Sequence, residues 1–172
     1  MTATHESRIN NAINSLEAAT ASIVKVLEGL SDDAARTAPQ GGGWSPAQVG
    51  LHVAMTNELF AGILTGAVPM SKPAPAGFAE DPDVFSKAPS KIKTPDPLEP
   101  PSSGVTSADA IARLRSAQTT TVSALKTLAP DRASGHVIEL PLGVITLYQA
   151  AEFLGPHTAR HLAQIQRCLA SA

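Results

Sequence analysis

Nine of the 14 prolines in this 172-residue chain fall between residues 67 and 106, and a stretch so interrupted holds neither a long helix nor a central strand. Regular structure is thereby confined to the flanks, residues 1–66 and 107–172. In both flanks apolar residues recur every three or four positions, the rhythm of a helix with one buried face.

Four helices are predicted from this rhythm and its boundary signals. The first, over residues 5–30, carries Ile9, Ile13, Leu16, Thr20, Ile23, Leu27 and Leu30 in a heptad-like seam and is closed by Gly29, the polar run 31–33 and Pro39. Ser45 caps the second, over 46–65, with Pro46 in its first position, Gln48 completing a capping box, and Gly66 and Pro69 ending it. The third starts at Thr106 or Ser107, where Thr106 and Asp109 form a cap, and stops at Pro130. The fourth spans 146–169, capped by Thr146 and Gln149, with Leu147, Ala150, Leu154, His157, His161, Ile165 and Cys168 facing inward. Pro156 lies inside it and is expected to kink it. Residues 136–140 read as a short extended segment and 141–143 as a turn into the last helix.

The fold class is therefore all-α, a four-helix bundle with a long proline-rich connection between helices two and three that suits a crossover better than a hairpin. Loops of this length in a compact domain are functional lids or disordered linkers. Phe78, Val84, Phe85, Ile92 and Leu98 offer anchors for an ordered wrap over one end of the bundle, and residues 95–101 suit a polyproline II spacer. With 43% hydrophobic content, one domain over residues 1–172 is expected.

Thirteen Lys and Arg against 15 Asp and Glu give a net charge of −2 with no basic block, and aromatics are 3%; neither suits a nucleic-acid surface. No apolar run reaches membrane-spanning length and the first 20 residues carry no signal-peptide core, so a cytoplasmic protein acting on small molecules is expected. The single cysteine, Cys168, excludes an internal disulfide and reads as a buried inert thiol. Gly41, Gly42 and Gly43 make a turn, since no strand precedes them and no Gly-Lys-Ser/Thr follows as a phosphate loop requires.

His157 and His161, four apart on the inward face of the last helix, lie one turn apart and can address one ion. A third nitrogen has to come from His5, His52 or His136. His52 sits beside Val49 on the apolar face of the second helix, whereas His5 belongs to a solvated terminus and His136 precedes a turn near the site. Three imidazoles from facing helices leave coordination positions open for water or substrate, and suit zinc, nickel or iron. Each histidine taken alone also reads as a hydrogen-bonded core residue. Thr158 stands where a His-Glu-x-x-His peptidase has its glutamate, so peptide hydrolysis is disfavoured. Glu58 and Glu152 are candidates for holding the outer nitrogens of the ligands.

Residues 44–53, 141–147 and 157–165 resemble the DinB-like (YfiT-like) superfamily of metalloenzymes, a likeness that spans most of the chain except the proline-rich loop. The resemblance implies a bundle, frequently dimeric, with a divalent metal, zinc or nickel foremost, on His52, His157 and His161. Members characterised as enzymes include thiol S-transferases and a mycothiol-dependent maleylpyruvate isomerase. A metal-dependent transferase using a low-molecular-weight thiol is the leading expectation. Metal-assisted hydrolysis and a non-catalytic metal-binding, stress-related helical module are the rivals. The long loop and Pro156 depart from the family pattern.

Overall fold

The computed structural model describes residues 3–87, 93–141 and 143–171. Along the chain come α1 (His5–Glu28), α2 (Asp32–Arg36), α3 (Pro46–Thr65), β1 (Lys72–Pro73), a single 3-10 turn (Asp96–Leu98), α4 (Ser107–Thr127), α5 (Pro130–Gly135), β2 (His136–Leu140), β3 (Gly143–Thr146) and α6 (Leu147–Ala170). The four long helices start where their side chains can satisfy free backbone N–H groups. Thr4 caps α1, and Ser45, Thr106 and Thr146 cap α3, α4 and α6 in reciprocal capping boxes with Gln48, Asp109 and Gln149. Gly66, at φ 87°, turns the chain out of α3, and Arg132 donates to the carbonyls of Ile63 and Leu64 at that helix end.

Helix α3 packs along α4 and α6, and α1 along α6 and α4, so α1 and α3 lie diagonally, as do α4 and α6. Side-chain contacts give the directions. Arg8 meets Glu152 while Gly155 abuts Ser15, so α1 and α6 run parallel; Gly50 abuts Ala110 and Thr121 bonds to Asn57, so α3 and α4 do too. His52 faces His161 while Phe60 faces Phe153, so α3 and α6 are antiparallel. The order is up, down, down, up. A chain leaving α3 has to return the length of that helix, about 30 Å for 20 residues, before α4 can begin. The proline-rich segment is this crossover.

It wraps the side of the bundle, not one end as expected. Glu80 is held by Arg8 and Thr146, the backbone carbonyl of Asp81 accepts from Gln149, Val84 is buried, and the Pro101 carbonyl accepts from Gln48 at the start of α3. Phe78 and Leu98 are half-buried and Phe85 is exposed, while Ile92 lies outside the described residues. Residues 95–101 contain the 3-10 turn in place of a continuous polyproline spacer. Covered by α4, α6 and the crossover, α3 is buried nearly all round.

Three further elements depart from the expectation of helices alone. Ser31 closes α1 by opening α2, α5 follows α4, and β1-β2-β3 form a small antiparallel sheet. Residues 136–140 are extended as expected; residues 143–146, expected as a turn and helix start, pair with them, Ile138 opposite Ile145 and Val137 opposite Thr146. The β-branched run buries one side against the bundle. Helix α6 continues through Pro156 without ending. Among the described residues no helix is long and apolar enough to cross a membrane.

The apolar core is divided. One cluster holds Ile9 to Leu16, Phe60 to Leu64, Leu125 and Leu147 to Leu154; the other holds Ile23 to Leu27, Val49, Val53, Leu114 and Ile165. Between them, at mid-height, each long helix contributes buried polar residues: Thr20, then His52, Thr56 and Asn57, then Thr121, then Thr158 and His161. The histidines belong to this belt.

Candidate metal centre

His52, His157 and His161 converge, each presenting one ring nitrogen within 4.8 Å of the others. His52 and His161 are buried and His157 is half-buried. Ring centroids are 4.7 Å apart for His52 and His161, 5.6 Å for His52 and His157, and 4.5 Å for His157 and His161. The i, i+4 spacing on α6 brings the last two together, and the antiparallel packing of α3 delivers the first.

Hydrogen bonds fix two of the tautomers. His52 Nδ1 lies 2.8 Å from the Leu98 carbonyl oxygen, an acceptor only, so Nδ1–H donates and Nε2 keeps its lone pair. His161 Nδ1 lies 2.8 Å from Gln164 Oε1, with the same consequence. His161 Nε2 then faces His157 Nε2 at 3.1 Å, and His157 Nδ1 is buried without a protein partner. Nitrogens bound to one ion at about 2.0–2.1 Å sit roughly 3.3 Å apart; the His157–His161 pair, at 3.1 Å, matches that spacing, and a His52 nitrogen lies within 4.8 Å of both. Burial pushes all three pKa values down, that of His161 to about 4, and the positive charge of Arg160 adds to the effect. Neutral imidazole, the ligating form, is therefore present at neutral pH.

The triad forms one side of a cavity of about 320 Å³. Thr56 and Phe60 of α3, Phe153, Pro156 and Arg160 of α6, Leu140 and Pro141 of the hairpin, and Phe85, Lys93, Thr94, Pro95 and Leu98 of the crossover complete its lining. Among these described residues none is a carboxylate. Pro156, the local anomaly of the sequence, is thus a wall residue.

A profile of the DinB superfamily matches residues 15–165. The chain belongs to that superfamily. Among solved structures, this DinB superfamily member resembles YfiT from Bacillus subtilis, described as a probable metal-dependent hydrolase with an unusual four-helix bundle topology. The match has a TM-score of 0.64 and 22% identity over 97% of this chain and 88% of YfiT, a likeness of fold. A comparison with curated proteins found no match.

Other residues singled out by sequence fall elsewhere. His136, on β2, lies outside the cavity lining. His5 is not simply solvated: its Nδ1 lies 2.7 Å from the Tyr148 hydroxyl. Glu58 is paired with Arg113 and Glu152 with Arg8, so neither holds a histidine of the triad. Cys168 is buried, its thiol pKa raised by that burial, as an inert thiol requires. Trp44 packs on the bundle and against the site itself, its ring 4.8 Å from that of His52. Sequence reading missed Gln164, Arg160 and the Leu98 carbonyl. The first carried a signal, three residues from His161 on the same helix.

Proposed function

We propose that this chain is a divalent-metal-dependent enzyme of the DinB superfamily that transfers a low-molecular-weight thiol to a small electrophile, with His52, His157 and His161 as the metal ligands. The observation that carries the reading is the set of three converging ring nitrogens, with His52 and His161 held by outer hydrogen bonds at Nδ1, beside an open cavity. A zinc, nickel or iron ion on three neutral imidazoles supplies Lewis acidity and lowers the pKa of a coordinated thiol or water.

The chain supplies orientation and an apolar wall. Leu98 and Gln164 hold the rings of His52 and His161, and the phenylalanines and prolines of the lining give the reacting groups apolar surroundings on one side. Transfer forms a carbon–sulfur bond on the electrophile and expels its leaving group, the thiol proton passing to solvent. A thiol needs little help to ionise, with an ordinary pKa near 8.5, whereas water benefits from a general base. The lack of a lining carboxylate among the described residues therefore favours thiol over water. Hydrolysis is the second reading, favoured by the fold shared with YfiT.

Elemental analysis of untagged protein, with His52→Ala and His157→Ala beside it, tests the centre. The expected result is about one equivalent of metal in the parent, as one mononuclear site requires, and its loss from both variants. No metal in the parent after reconstitution would overturn the enzymatic reading. Product analysis with thiol or water as the sole acceptor then separates transfer from hydrolysis.

A further inference from the structure

Three of the chain's four phenylalanines meet at the cavity beside the histidines. Phe60 stacks on Phe153 with centroids 5.4 Å apart and planes at 27°, and Phe85 stacks on Phe153 at 5.8 Å and 29°. Phe153 also lies 4.9 Å from the ring of His157. Phe60 is buried in the core and Phe85 is 37% exposed, so an aromatic wall runs from the core past the triad to solvent. Phe60 and Phe153 anchor the wall in the core, and its outer part, Phe153 and Phe85, offers an apolar face to a flat body in the cavity.

The same cavity has a charge imbalance. Arg160 and Lys93 line it, both are exposed, and among the described residues neither makes an ion pair. Arg160 follows His157 by three positions, on the same side of α6, and its charge is felt by all three imidazoles. Among the described residues no lining carboxylate offsets these cations. A planar guanidinium at the edge of an apolar slot offers a paired, geometrically matched contact to a carboxylate.

Resting on the metal-site reading above, we infer that the substrate is a small organic carboxylate whose flat apolar body lies along Phe60, Phe153 and Phe85 and whose anionic group pairs with Arg160, with Lys93 as a second cation. The cavity of about 320 Å³ is at the small end of ligand pockets, which suits a compact molecule and not a peptide.

Phenylacetate and its uncharged analogue phenylacetamide distinguish the charge from the apolar body. Binding of each to metal-loaded protein is read from the fluorescence of Trp44, the only tryptophan, whose ring is 4.8 Å from His52. Metal content is measured in every sample. The acid is expected to bind about tenfold more tightly than the amide, as a charge-assisted contact implies. Arg160→Gln should erase that preference with metal content unchanged, Arg160→Lys should restore part of it, and Phe85→Ala should weaken both ligands alike. Equal affinity for acid and amide, no binding of either, or a preference that survives Arg160→Gln would overturn the inference; the last outcome would put the carboxylate on the metal. Absence of metal with an Arg160-dependent preference intact would reject the metal reading alone.

Discussion

A neutral imidazole ligates only through the ring nitrogen that carries no proton, so the acceptors behind the rings decide which atom is offered. Gln164 accepts from His161 Nδ1 at 2.8 Å. Gln164→Ala is expected to leave the helical circular dichroism unchanged and to weaken metal binding about 10- to 100-fold, the usual effect of losing an outer partner, as a competitive chelator titration would show. Metal-free protein should also respond to acid. The folded pKa of His161 is lowered to about 4 from an ordinary 6.5, and those of His52 and His157 are lowered too, in each case chiefly by burial. Between those values the unfolded chain binds more protons, so stability is full above pH 6.5 and falls as pH drops towards 4. Thermal melts at stepped pH should show this slope, and His161→Gln should flatten it; a slope untouched by the substitution would place the titrating group elsewhere. The two α6 histidines were legible as an i, i+4 pair on a buried face. The acceptor for His52 was not, because the carbonyl of Leu98 is a backbone atom 46 residues away and has no sequence signature.

Helix α6 is held to α1 by a contact that needs the smallest residue. A Cβ on Gly155 would stand 2.6 Å from the Cβ of Ser15 and 3.0 Å from its carbonyl carbon, too close for real atoms and beyond rescue by rotating the Ser15 hydroxyl. Gly155→Ala is therefore expected to cost about 1–3 kcal/mol despite the better helix propensity of alanine. For a chain of this size that corresponds to a fall in melting temperature of roughly 2–4 °C per kcal/mol. Ser15→Gly added to it should recover part of the loss, and a neutral Gly155→Ala would mean that the helices separate freely. Helix starts were legible because Ser45, Thr106 and Thr146 each carry a reciprocal partner three residues on. Strand β3 was not: four residues beginning with glycine form a strand here through pairing with β2, an interaction beyond their local sequence. Pro156 was legible as a residue inside the last helix, and the helix runs through it. A proline inside a helix costs about 3 kcal/mol, yet Leu154, Thr158, His161 and Ile165 are buried on both sides of it, and losing that packing would cost more.

The up, down, down, up arrangement makes the crossover part of the cavity, because a chain returning beside α3 passes over the α3–α6 face where the histidines lie. Its two ends are fastened separately. At the first, Arg8 lies between Glu80 of the crossover, at 3.0 Å, and Glu152 of α6, at 2.5 and 2.8 Å, with its guanidinium over the ring of Tyr148. At the other, Gln48 donates to the Pro101 carbonyl at 2.7 Å and Val105 is buried. Arg8→Met keeps the aliphatic stem but leaves two half-buried carboxylates without their shared cation, which should cost about 1–3 kcal/mol. Because the second fastening does not use Arg8, the loss should be local: hydrogen exchange should quicken over residues 72–87, while the backbone N–H of Val105 and the metal content stay as in the parent. Glu80→Gln, which keeps a hydrogen-bonding side chain and removes one charge of the pair, should give the same pattern in weaker form. If exchange quickens equally across the whole crossover and metal is lost with it, the segment moves as one unit and the histidine site depends on the first fastening as well as on Leu98.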